Sequence, residues 1–123
     1  MNSKQYLVVA NNNDNQDTIL VGSIIYEYNI DSKQFVHFQT IENNGAFDWE
    51  SFEMDGAQYL AVANYDSSQN VDSVLFKYNT SNISFTEFQT FAFSGSIDWE
   101  SFTMNDKHYL VLANYYAAGT GSG

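Results

Sequence analysis

The chain has 123 residues, with fifteen acids set against four lysines and no arginine, giving a formal charge of −11 at pH 7. That length supplies one ordinary domain, and the charge argues against nucleic acid and anionic membrane surfaces, since both need clustered Lys or Arg. Cysteine is absent, which excludes thiol catalysis, disulfides and thiolate zinc sites.

Tyrosine and phenylalanine are plentiful, proline is absent, and no stretch carries apolar residues at helical period, so the expected class is all-β. In chain order, the first strand-like run is Y-L-V-V-A-N at 6–11, followed by a loop rich in Asn and Asp at 12–17. Next come S-I-I-Y-E-Y-N at 23–29 and F-V-H-F-Q-T at 35–40. D-W-E-S-F-E-M at 48–54 leads through Asp55-Gly56 to Y-L-A-V-A-N at 59–64, then a second polar loop at 66–72. From there the pattern recurs: S-V-L-F-K-Y-N at 73–79, F-T-E-F-Q-T at 85–90, D-W-E-S-F-T-M at 98–104 and Y-L-V-L-A-N at 109–114. The last residues, 119–123 (G-T-G-S-G), read as a linker scar or a disordered end.

Self-similarity at a period of about 50 residues points to propeller or solenoid architecture. Each period holds four strand-like runs, as an antiparallel meander requires, and four antiparallel strands make a propeller blade. The Y-L-x-V-A-N run is apolar at nearly every position, so both of its faces must be covered, as they are when a blade packs between two neighbours. The expected organisation is a partial blade at 1–47, a complete blade at 48–97, the start of a third at 98–116 and a tail at 117–123.

These motifs resemble the EAR (epitempin, EPTP) repeat family: a D-W-E-x-F strand, then D-G-x-x-Y-L-x-V-A-N, a polar loop, and S-x-I/L-Y/F-x-Y-N. The likeness covers residues 3–116. It implies an extracellular β-propeller of about seven blades that binds other proteins. The chain holds only about two and a quarter repeats, so it is either part of a longer propeller or one of several copies that close a ring, as a trimer or tetramer.

Asp48, Glu50, Asp98 and Glu100 are repeated in the D-W-E-S-F run, taken as innermost by analogy with other propellers. There they have two readings. Hard oxygen ligands around a channel suit Ca²⁺ or another divalent cation, and the same acids can equally cap turns and accept hydrogen bonds from a neighbouring blade. Trp49 and Trp99, inside the same run, are expected to pack between blades with their indole N–H groups satisfied locally. Tyr65, Tyr115 and Tyr116, with Asp66, Asn12 and Asp14 of the polar loops, are the candidate ligand contacts, because loops on a rigid scaffold carry function. Neither loop has the spacing of a helix-loop-helix calcium site.

His37 and His108 stand at unmatched positions, and Ser51 and Ser101 lack the glycines of a nucleophile elbow, so no catalytic triad can be assembled. Two N-glycosylation patterns, Asn79-Thr80-Ser81 and Asn82-Ile83-Ser84, share one turn. No apolar run is long enough to span a membrane and no signal peptide follows Met1, so membrane insertion is not expected and the extracellular location comes from the resemblance alone. The expected function is non-catalytic recognition of an extracellular protein. A lectin with several equivalent sites, or an engineered or excised fragment without ligand function, are the alternatives.

Overall fold

The computed structural model describes residues 4–11, 22–42, 45–65, 72–92 and 95–114. Among them are nine strands: β1 (Tyr6–Val9), β2 (Ser23–Asn29), β3 (Gln34–Ile41), β4 (Ala46–Met54), β5 (Ala57–Asn64), β6 (Ser73–Asn79), β7 (Ser84–Phe91), β8 (Ser96–Met104) and β9 (Lys107–Asn114). All pairings are antiparallel between sequence neighbours, in three sheets ordered β1-β2-β3, β4-β5-β6-β7 and β8-β9. The middle sheet is a complete four-stranded meander, and the flanking sheets repeat its second to fourth and its first two strands. This is the all-β blade architecture the repeat demands.

Local chemistry sets the tight turns. Asp55 and Gly56, both at positive φ, close the two-residue hairpin between β4 and β5, and Asn105-Asp106 do the same between β8 and β9. Left-handed backbone at both central positions matches the twist of the flanking strands and favours Asn, Asp and Gly. At the other hairpins an asparagine ends the strand and folds the turn. Asn29 Oδ1 accepts the N–H groups of Asp31 and Ser32, each at 2.9 Å, and Asn79 Oδ1 accepts those of Ser81 and Asn82 at 2.8 and 3.4 Å.

The core lies between the sheets. Along β5, Leu60 and Val62 point back at the first sheet and join Ile25, Phe76 and Phe85. Tyr59, Ala61 and Ala63 point forward and join Leu75 and Trp99. Every residue from Tyr59 to Asn64 is therefore buried, which explains an apolar strand without alternation. The buried Asn64 bridges to the next strand, its N–H donating to Ser73 Oγ at 3.1 Å and its Nδ2 to the Asp72 carbonyl at 2.9 Å. Asn11 makes the corresponding bonds to Ser23 and Gly22.

Register shifts recur at matching places, between Ala46 and Asp48 and again between Ser96 and Asp98. Such a bulge re-aims the side chains that follow it. Past it, Trp49 packs against the first interface while Phe52 and Met54 pack against the second.

Candidate functional site

The bulge makes the D-W-E-S-F run two-faced. Its acids point forward and its tryptophan and serine point back, so adjacent blades present complementary groups. Asp48 Oδ2 accepts the N–H of Trp99 at 3.1 Å. Glu50 Oε2 accepts both the N–H of Ser101, at 3.2 Å, and its hydroxyl, at 2.8 Å. Carboxylates that accept backbone N–H bonds are strong, directional fasteners. Among the described residues, no group of three or more His, Asp or Glu is placed to hold a metal ion. Asp48 and Glu50 here bind the neighbouring blade.

Asp48 does so at an electrostatic cost. Burial, with Asp98 and Glu50 close by, pushes its carboxyl from the ordinary 3.8 up to about 6, against the opposing pull of the Trp99 N–H. Asp98 and Glu100, the forward-pointing acids of the third sheet, are exposed, whereas Asp48 and Glu50 are half-buried. The difference follows from position: only the second pair has a blade in front of it.

The tryptophans take the backward role. Trp99 is 3 % exposed inside the second interface, its ring meeting Phe91 edge-on at 5.3 Å. Trp49 is only half-buried; among the described residues, the sheet it faces holds three strands, β1-β2-β3, and no counterpart of β4 lies over the indole. The Trp49 indole donates to Ser23 Oγ at 3.1 Å. Buried Trp99 Nε1 differs from expectation, having no hydrogen-bond partner among the described residues. At the corresponding serine, Ser73, the hydroxyl accepts the Asn64 N–H at 3.1 Å, while Ser23 Oγ accepts both the Asn11 N–H, at 3.5 Å, and the Trp49 indole.

Sequence reading overlooked one fastener. Gln39 on β3 clamps the backbone of Phe85 on β7 from both sides, Nε2 donating to the carbonyl at 3.0 Å and Oε1 accepting the N–H at 2.9 Å. Its signal was the repeated F-x-x-F-Q-T: a glutamine kept directly after the second of two phenylalanines in both copies. Gln89, its counterpart, is exposed.

Of the candidate ligand residues, only Tyr65 lies among those described; Asn12, Asp14, Asp66, Tyr115 and Tyr116 lie outside them. Tyr65 donates its N–H to the Gly45 carbonyl at 2.9 Å and packs its ring on exposed Phe47, centroids 5.3 Å apart. This pair sits where β5 ends and β4 begins. Antiparallel order puts the β5–β6 and blade-to-blade connections at that same end, and the tight turns at the other.

Elsewhere, Tyr6 donates to Glu27 Oε2 at 3.0 Å, and Lys4 reaches the same oxygen at 3.1 Å. Burial, and then Glu27, hold the Tyr6 phenol well above the ordinary tyrosine range, so it acts as a hydrogen-bond donor. His37 Nε2 meets Thr40 Oγ1 at 2.8 Å on an exposed strand, with no carboxylate or nucleophile beside it in that contact. On this face the chain offers fasteners and aromatic surface.

Comparison with known proteins agrees with this architecture. A stretch of 48 residues is 42 % identical to the human Thrombospondin-type laminin G domain and EAR repeat-containing protein, and 44 % identical to the mouse protein of the same name. Each aligned stretch covers 39 % of this chain and 7 % of the relative's length, so the chain spans a small part of the relatives it matches. The EPTP domain model matches residues 34–79 and 84–122, well over half of the chain. Repeats of this kind are in general protein-interaction units of β-propeller type. With its blades, its D-W-E-S-F fasteners and this match, the chain belongs to the EPTP domain family.

Proposed function

We propose that the chain is a non-catalytic recognition module, acting outside the cell as part of a β-propeller and binding a protein partner. One observation carries the reading: the repeated polar residues Asp48, Glu50 and Gln39 are engaged in joining blade to blade. Recognition then falls to the loop face, where Phe47 and Tyr65 form an aromatic platform on a rigid sheet. Family membership supports protein binding, and the laminin G domain in the relatives' name supports a location outside the cell. The absence of enzyme chemistry is supported by Ser101, whose hydroxyl donates to a carboxylate, and by His37, whose ring meets only a threonine hydroxyl.

The test is to present the purified chain to an array of extracellular ectodomains and to a glycan array. The expected result is binding to an ectodomain that survives removal of its glycans and weakens at least about tenfold in the Phe47→Ala, Tyr65→Ala double variant, as loss of an aromatic anchor would produce. Binding that follows the glycan instead would make the chain a lectin and overturn the protein-partner reading.

A further inference from the structure

The hairpin between β6 and β7 carries both of the patterns in the chain that accept an N-linked sugar, Asn79-Thr80-Ser81 and Asn82-Ile83-Ser84. In sequence the two are equivalent, but the fold uses them differently. We propose that Asn82 is the glycosylated residue and that Asn79 stays bare as a structural residue of the turn. The proposal rests on the extracellular location argued above, because this pattern is read in secreted chains.

Asn79 is accounted for by the fold. It ends β6 opposite Ser84 and is half-buried, and its Oδ1 accepts the N–H groups of Ser81 and Asn82. Asn29 holds the equivalent place in the first sheet and accepts the N–H groups of Asp31 and Ser32 in the same way. Yet Asn29 is followed by Ile30 and Asp31, which make no sugar-accepting pattern. An asparagine therefore stands there for the turn, with or without a sugar.

Asn82 and Ser84 have no such repeat. Their counterparts in the first hairpin are Ser32 and Gln34, so the blade requires neither. Asn82 is exposed, and the Ser84 hydroxyl donates to its Oδ1 at 2.9 Å. Among the described residues its Nδ2 makes no hydrogen bond. Ile83 beside it is 63 % exposed. A bulky, solubilising substituent on Asn82 thus displaces no packed side chain and covers an exposed apolar one.

The step is a group transfer from a lipid-diphosphate-linked oligosaccharide, catalysed by an oligosaccharyltransferase. Asn82 Nδ2 forms a bond to the anomeric carbon of the first sugar. The bond from that carbon to the phosphate oxygen breaks, its electron pair leaves with the lipid diphosphate, and one amide proton passes to the transferase's base. Oδ1 keeps its lone pairs for the Ser84 hydroxyl.

Position decides what the sugar spares. Antiparallel order puts the β6–β7 turn at the opposite end of the blade from the β5–β6 connection, where Tyr65 lies. A sugar on Asn82 leaves the Phe47–Tyr65 platform open to a partner.

The test directs the whole chain into the secretory lumen of cultured mammalian cells with an appended leader. Occupancy is read on retained and secreted chain together, from the mobility shift on N-glycanase treatment and from the aspartate which that enzyme leaves, in heavy-oxygen water, at the modified position. Ser81→Ala destroys the Asn79 pattern but keeps the turn, which uses only the Ser81 N–H. Ser84→Ala destroys the Asn82 pattern and keeps both asparagines. The expected result is a single sugar in the wild type, kept in Ser81→Ala and lost in Ser84→Ala and in Asn82→Gln. An unmodified wild-type chain, or a sugar on Asn79, would overturn the proposal. Because the appended leader supplies the route, neither outcome touches the protein-binding reading, which stands or falls with the ectodomain array.

Discussion

At the scale of single residues, the acids of the D-W-E-S-F run were readable as important but ambiguous. A carboxylate repeated at each blade suits a channel cation and a backbone fastener equally well in sequence. Only the bulge before Asp48, which no residue type announces, decides which way it points. The pH dependence follows from its raised pKa. A carboxyl at about 6 in the folded chain and 3.8 otherwise adds stability that is complete below about pH 4, fades as pH rises towards 6 and is gone above it. Asp48→Asn keeps an acceptor for the Trp99 N–H and carries no charge. It should raise stability at pH 7 by on the order of 1 kcal/mol, once solvent screening of a partly exposed group is allowed for, and leave it unchanged near pH 4. Urea midpoints at the two pH values check this. A variant less stable at pH 7, together with wild-type melting that shifts between chelator and calcium, would make Asp48 a cation ligand.

The two tryptophans separate equally clearly. Burial of Trp99 at 3 % exposure makes Trp99→Ala cost about 3–5 kcal/mol. For half-buried Trp49 the cost should be about half of that. Equal shifts in denaturation midpoint would contradict this ranking. Sequence could place both between blades, but their inequality depends on which neighbours are present.

Among elements, the strands were legible because four runs recur in order and the Y-L-x-V-A-N run lacks alternation. The hairpin at Asp55-Gly56 was legible for the same reason that it forms, since that dipeptide tolerates left-handed backbone. Ile83 was not legible. It sits at φ 53° and is 63 % exposed at the turn before β7, a conformation that costs a β-branched residue about 1–2 kcal/mol. Ile83→Gly should therefore stabilise the chain by about 1 kcal/mol, measurable as a rise in melting temperature. An unchanged or lowered melting temperature would mean that the turn relaxes around the isoleucine at no cost.

For the whole molecule, the balance of fifteen acids to four lysines opposes the packing of successive blades, because each brings its own acids toward the same edge. Raising salt from about 20 mM to about 500 mM shortens the screening length from roughly 20 Å to roughly 4 Å. Melting temperature should rise by a few degrees across that range, and a fall would show that attractive pairs such as Lys4–Glu27 dominate instead. The family was readable from repeats alone. The outer clamp at Gln39 was not, because a glutamine in a strand has no conformational signature, and its value appears only when Phe85 of the next blade is brought opposite.

Because Asp48, Glu50 and Gln39 all point the same way along the chain, each unit has a head and a tail, and like ends cannot mate as they do across a two-fold axis. Such polarity makes each hold one-sided. A middle blade stripped of Asp48 and Glu50 would still be clamped from behind by Gln39, yet would lose its polar hold on the blade ahead, so damage at one blade loosens one of its two faces and spares the other.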